Sequence, residues 1–164
     1  MTQVTHSGSA KVTLPADEEI LITREFDAPR RLVYRAYTTP ELVSRWWPGR
    51  RGEMRSAEID LRVGGAWRYV MIADGGHEVA FHGEFSEVVE DERLVNTEVY
   101  EGVPEGSAPA LNIVTFEESS GRTTLTILMR VESREVRDMI IDTGMEGGMQ
   151  EGMDILEQVA RELA

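Results

Sequence analysis

Six consecutive segments, at residues 55–62, 66–72, 78–89, 93–100, 111–116 and 123–131, alternate apolar and polar side chains. No other feature constrains the fold as strongly. A period of two gives each segment one apolar face and predicts a strand. Gly64-Gly65, Asp74-Gly75-Gly76 and Ser119-Ser120-Gly121 stand between segments, where hairpins need residues that accept left-handed backbone. Residues 102–109 form a longer turn-rich loop. Strands joined this closely pair antiparallel, because a parallel return needs a dozen residues or more.

A seventh strand, residues 20–26 (ILITREF), precedes two short helices. Asp27 caps the first, Pro29 lies in its first turn, and it continues through Leu32, Val33, Tyr34, Ala36 and Tyr37. Pro40 opens the second (ELVSRWW), which Pro48, Gly49 and Gly52 close.

The chain ends in a Met- and Gly-rich stretch, residues 133–164, with a break near Thr143-Gly144. Met145, Met149 and Met153 recur every four residues and so share a helix face, which Leu156, Ala160 and Leu163 extend. Gly147, Gly148 and Gly152 make this a poor helix in isolation, so tertiary contacts must hold it. The glycines are expected to let the helix lie close to a sheet. About seven strands curl, and one long helix closes their concave face. The expected fold class is therefore α+β: a curled antiparallel sheet wrapped on a long C-terminal helix, two short helices after the first strand, and a cavity between sheet and helix. Residues 1–17 are polar and read as a flexible N-terminal tail, leaving 18–164 as a single domain.

A formal net charge of −13 opposes binding to nucleic-acid backbones and anionic membranes. With no cysteine there is no disulfide, thiol nucleophile or thiolate metal site. His6, His77 and His82 are scattered without ligand spacing, so neither a metal nor a cofactor is expected. No run is apolar enough for a signal peptide or a membrane span, which makes the cytoplasm the expected location.

Alternation places Trp67, Tyr69 and Met71, then Val79, Phe81 and Phe85, then Leu125, Ile127 and Met129 toward the helix. Of Trp46 and Trp47, one packs under the sheet edge and the other stands at a pocket mouth. The candidate ligand contacts are Trp46, Trp67, Tyr69, Met71, Phe81, Phe85, Ile127, Met129, Met145, Met149 and Met153. Apolar periodicity reports burial first, so each is also a core position. Asp60, Glu84 and Glu98 face solvent in this register; a slip of one residue turns them inward. Arg68 points away from the cavity, toward surface acids. Gly64-Gly65 joins strands without a helix N-terminus or lysine and is no phosphate loop. No nucleophile motif is present, and no catalytic residue is named.

Several stretches resemble the START-like helix-grip superfamily, also called SRPBCC. Phe26-Asp27-Ala28-Pro29 with Val33, then Thr38, Pro40-Glu41-Leu42 and Trp46-Trp47, are similar to its opening. Residues 59–68 (IDLRVGGAWR) resemble the bacterial branch similar to the C-terminal domain of the activator of heat-shock-protein-90 ATPase. Phe81-His82-Gly83-Glu84-Phe85, Val114-Thr115-Phe116-Glu117, Thr123-Thr124-Leu125-Thr126 and residues 144–149 (GMEGGM) follow in that branch's order. The resemblance covers residues 20–164 and implies the helix-grip fold. Many relatives carry a Gly-Trp pair in the last helix; here Gly148-Met149 and Gly152-Met153 occupy that region.

The superfamily includes lipid carriers, hormone receptors, polyketide cyclases and aromatases, and chaperone partners. The resemblance and the apolar face together lead to a non-catalytic binding module for a small hydrophobic or aromatic molecule. The alternatives are a cyclase- or aromatase-like enzyme acting on a polyketide-type substrate, with Tyr69 the first residue to inspect, and a chaperone-interacting protein. A protein partner or a homodimer is compatible with these readings.

Overall fold

The computed structural model describes residues 3–4, 10–102 and 107–164. Its elements run β1 (Gln3–Val4), β2 (Lys11–Thr13), β3 (Glu19–Phe26), α1 (Arg30–Thr38), α2 (Pro40–Trp46), β4 (Gly52–Ile59), β5 (Ala66–Ala73), β6 (Glu78–Val89), β7 (Arg93–Tyr100), β8 (Ala110–Ser119), β9 (Arg122–Arg130), α3 (Arg134–Asp142) and α4 (Met145–Glu162). One antiparallel sheet runs β1-β2-β3-β9-β8-β7-β6-β5-β4. Chain-order neighbours pair along β4 to β9, as short turns require. The exception is β3, which pairs with β9, so α1 and α2 carry the chain from one side of the sheet to its far edge at β4. Register shifts at Met54/Ser56 and Phe85/Glu87 supply the extra residues that bend and twist a curled sheet.

The core forms where α4 crosses the concave face. Met153, Leu156, Val159 and Ala160 of α4 pack with Ile20, Ile22, Leu94, Val114, Phe116 and Leu125 of the sheet and Leu32, Val33 and Val43 of the short helices. Each fully buried Leu or Phe contributes about 1.5–3 kcal/mol in this setting. Polar contacts fix the angle of α4. The buried Arg24 of β3 donates to Met153 O at 3.2 Å and Asp154 Oδ1 at 2.9 Å, and lies over the Phe26 ring. Asp27 N donates to Glu157 Oε2 at 2.8 Å. Gln150 exchanges two hydrogen bonds with the backbone of Ala10, accepting from its N–H at 2.9 Å and donating to its carbonyl at 2.8 Å. The expected break falls at Gly144, at φ 79°, between α3 and α4, and Ser133 Oγ caps α3 by accepting from Val136 N.

Asp27 does not cap α1 as expected, since Pro29 is the N-cap and no side chain bonds the helix start; three further differences from the sequence expectation are also local. β1 and β2 extend the seven expected strands at one edge, and within the stretch read as a flexible tail Lys11–Thr13 pairs with β3 and buries Val12. Three residues are too few to show a period. Residues 1–2, 5–9 (with His6) and 103–106 lie outside the described residues. Second, β4 ends at Ile59, and Asp60 instead accepts a two-pronged bond from Arg62 Nε in the following turn. Third, a Cβ on Gly152 would lie 2.9 Å from Trp46 O, so the close approach that this glycine permits is to the end of α2 and not to the sheet.

On the convex face Arg68 forks Glu101 with two 2.9 Å bonds, and His82 Nδ1 lies 2.8 Å from the same carboxylate. These contacts, led by the Arg68 bond, pull Glu101 down to a pKa of about 2 from an ordinary 4.5. A depressed carboxylate stabilises the fold above its unfolded pKa and stops doing so as pH falls through its folded one. Glu101→Gln is therefore expected to be less stable than wild type at pH 6, with the gap closing between pH 4.5 and pH 2. Urea denaturation at the two ends of that range checks it. Because the pair is solvent-exposed, added salt shrinks the gap.

Candidate functional site

A cavity of about 270 Å³ lies between the concave face and the helices. The sheet supplies Ile22, Ile59, Trp67, Tyr69, Phe85, Leu94, Asn96, Glu98, Asn112, Ile127 and Met129. The helical side supplies Tyr37, Thr38, Trp46, Trp47, Met145, Gly148, Met149, Gly152 and Met153. All three tryptophans of the chain therefore line it.

Local structure fixes the aromatic wall. Trp46 donates its indole N–H to Ala36 O at 2.9 Å and stacks on Tyr37, with ring centroids 5.3 Å apart. Trp47, one residue on, meets Tyr69 and Phe81 edge to face at 5.4 and 5.3 Å. Trp67 donates its N–H to Thr97 O at 3.1 Å across Gly83, where a Cβ would stand 1.9 Å from that carbonyl oxygen. Phe85 is gripped by the Gly64-Gly65 turn: Gly64 N donates to Phe85 O at 2.8 Å and Phe85 N to Gly65 O at 2.9 Å. The glycine pair thus positions a wall residue.

Nine of the eleven candidate contacts meet at the cavity: Trp46, Trp67, Tyr69, Phe85, Ile127, Met129, Met145, Met149 and Met153. Two do not line it. Phe81 packs its ring between Trp47 and Tyr100 and so backs the wall. Met71 pairs with Met54 and Val79, nearer the β5–β6 turn. Both tryptophans after α1 line the cavity, although only Trp46 was among the candidates. Asp60 and Glu84 are exposed as expected, and Arg68 is on the outer face as expected.

Glu98 reverses the sequence expectation. It lines the cavity, with Leu94 and Asn96 on the same face of β7. The apolar residues Val95 and Val99 suggest the opposite phase, and the bulge at Phe85/Glu87 shifts the register between β6 and β7. The signal that finds Glu98 is its period-two relation to Leu94, which is 1% exposed.

Glu98, Asn96 and Asn112 form a polar patch on an otherwise apolar wall. Asn112 Nδ2 donates to Glu98 Oε1 at 2.8 Å, while Asn112 Oδ1 is buried and has no hydrogen-bond partner among the described residues. Asn96 Nδ2 donates to Thr97 O at 3.0 Å. Desolvation raises the pKa of Glu98, and the Asn112 bond opposes that rise in part. Burial pushes Tyr37 and Tyr69 well above the usual phenol range, with the nearby Glu98 charge adding to both. Among the described residues, no Lys, Arg or His lines the cavity. Among the described residues, no three His, Cys, Asp or Glu side chains cluster to hold a metal, and no helix is long and apolar enough to cross a membrane.

The profile of the family described as Activator of Hsp90 ATPase homolog 1-like protein matches residues 27–161. The chain belongs to this family. The match spans α1 to nearly the end of α4 and takes in every residue lining the cavity except Ile22. Solved bacterial structures share the fold of this chain. A Rhodobacter sphaeroides protein superposes with a TM-score of 0.85 at 21% identity, covering 94% of this chain and 99% of that one. A Nitrosomonas europaea protein gives 0.81 at 23% identity, over 91% and 97%. A Chromobacterium violaceum protein gives 0.73 at 27% identity, over 86% and 96%. No curated protein matches the chain.

Proposed function

We propose that the protein binds a small hydrophobic or aromatic molecule in the cavity between the sheet and α4. The observation that carries this reading is the unfilled volume of about 270 Å³ walled by three tryptophans, Tyr37, Tyr69, Phe85 and three methionines of α4. Side chains that served only as core would close on one another, because protein interiors pack to the density of organic crystals. Apolar walls with a few convergent polar groups are the usual character of a small-molecule site. Thioether side chains adapt to the shape of what they cover, which suits Met145, Met149 and Met153 to the movable side of such a pocket.

The test is a thermal-shift and tryptophan-emission screen against a broad library of aromatic and lipid-like molecules. Wild type is expected to respond to a subset. Met149→Trp fills the cavity from the helix side. It is expected to keep or raise stability, by about 0.5–2 kcal/mol, and to weaken those hits by about ten-fold or more. If wild type answers no member, or the hits bind Met149→Trp unchanged, the cavity is not the binding site.

A second reading, an enzyme that moves protons on a bound polyketide-type substrate, is favoured by one observation: a desolvated carboxylate, Glu98, lines the cavity with two tyrosines. Raised carboxylate pKa values suit general acid–base work near neutrality. Turnover of a bound ligand that is lost in Glu98→Gln, while binding of that ligand persists, separates this reading from simple binding.

A further inference from the structure

We infer that the preferred occupant of the cavity is an organic ammonium ion: an aromatic or aliphatic amine whose charged nitrogen sits at Glu98 and Asn112 while its hydrocarbon body lies among the aromatic rings. The inference rests on the small-molecule reading above and names the chemical class of that molecule.

The polar patch holds acceptors that the hydrogen bonds among the described residues leave unmet. An ionised carboxylate offers about four lone-pair sites. At Glu98 one side-chain bond is made, from Asn112 Nδ2 at 2.8 Å. That contact turns the other end of the amide into a second acceptor, Asn112 Oδ1, which is buried, on a residue only 7% exposed, and has no partner among the described residues. A buried acceptor left unmade costs about 1–3 kcal/mol, so a ligand that donates to it recovers that loss. Among the described residues, no cationic side chain lines the cavity to answer Glu98. The titratable groups facing it are Tyr37 on α1 and Tyr69 on β5, and burial holds both neutral.

These facts rank the ligand classes. A primary ammonium group brings three N–H donors and a positive charge, enough for Glu98 and Asn112 Oδ1 together. An alcohol brings one donor and no charge. A carboxylate ligand brings a like charge to a desolvated one and is disfavoured. The walls point the same way. Tyr37, Tyr69, Trp46, Trp47, Trp67 and Phe85 place six aromatic rings around the volume, and their π-faces attract cations. The net charge of −13 favours cation approach from a distance. A volume of about 270 Å³ suits one or two rings with a short chain.

A matched series tests the inference on the full chain: 4-phenylbutylamine, 4-phenylbutanol and 4-phenylbutyrate, titrated with tryptophan emission as the readout, since all three indoles line the cavity. The amine is expected to bind about ten-fold or more tightly than the alcohol at pH 7, and the carboxylate more weakly than either. Glu98→Gln is expected to bring amine and alcohol within about two-fold of each other. In wild type, amine affinity falls as acid protonates Glu98, and alcohol affinity does not. This second readout stands independently of the variant. An alcohol that binds as tightly as the amine, or a preference that survives in folded Glu98→Gln, overturns the ammonium assignment and leaves the apolar-ligand reading intact. Silence from all three probes overturns the assignment, and silence from the whole library overturns the underlying reading too.

Discussion

Gly83→Ala is expected to destabilise the protein by about 3 kcal/mol and to lower its melting temperature by roughly 10 °C. The added Cβ would stand 1.9 Å from Thr97 O and 2.7 Å from Trp67 Nε1. It would occupy the line along which the indole N–H reaches that carbonyl. The carbonyl is backbone in the middle of a six-strand meander and has little room to withdraw. Relief must come from separating β6 from β7 or from ejecting the Trp67 ring. Either change spreads into the cavity, because Trp67 touches Tyr69 at 4.8 Å between ring centroids and Tyr69 touches Trp47. Thermal denaturation measures the loss. A Trp67→Phe background sharpens the result: it removes the indole contact but keeps the carbonyl, so it is expected to recover little. Full rescue by Trp67→Phe would show that the side chain, and not the backbone, sets the limit.

Gly83 lies inside the alternating segment at residues 78–89, where β6 forms as the sequence predicts. A glycine inside a strand pattern signals a bulge or a close approach, and the approach is there. The strands from β4 to β9 were readable because short turns and a strict period leave few alternatives. The α4 face was readable because Met145, Met149 and Met153 fall four apart. What escaped detection was phase. On β7, Leu94 marks the inward face while Val95 and Val99 advertise the other, and apolar residues on both faces leave the period uninformative. Phe81 and Met71 share the phase of Tyr69, yet lie outside the cavity because it ends before they are reached. Periodicity assigns a residue to a face of the sheet, whereas the extent of a cavity depends on where the helices stop covering that face.

Glu98→Gln is expected to make the protein more stable at pH 7, because it removes a desolvated charge from the cavity wall. Desolvation raises the folded pKa of Glu98 above its ordinary 4.5. For such a group the linkage runs opposite to that of Glu101. Above the folded pKa the desolvated charge weighs on the native state in full; as pH falls through it the proton is taken up and the burden lifts. The advantage of the glutamine variant therefore shrinks with acidification and is gone below about pH 4.5. The glutamine oxygen still accepts from Asn112 Nδ2, so the comparison isolates the charge. Urea titrations at pH 7 and pH 4 measure it. Lower stability of the variant at pH 7 would mean that the Asn112 bond favours the charge more than desolvation opposes it. A group that weakens the fold while lining its cavity fits a site in which function and stability compete.

The two bonds between Gln150 and Ala10 have a practical consequence for anyone expressing this protein. Gln150 follows directly on Met149, a wall residue, and its amide grips the chain ahead of β2 as a neighbouring strand would. A clone begun at the apparent domain start, residue 18, discards that grip along with β2 and leaves the side of β3 opposite β9 bare for another chain to add to. Shortened versions of such a protein would then report a looser pocket and a spurious dimer, both created by the choice of primer.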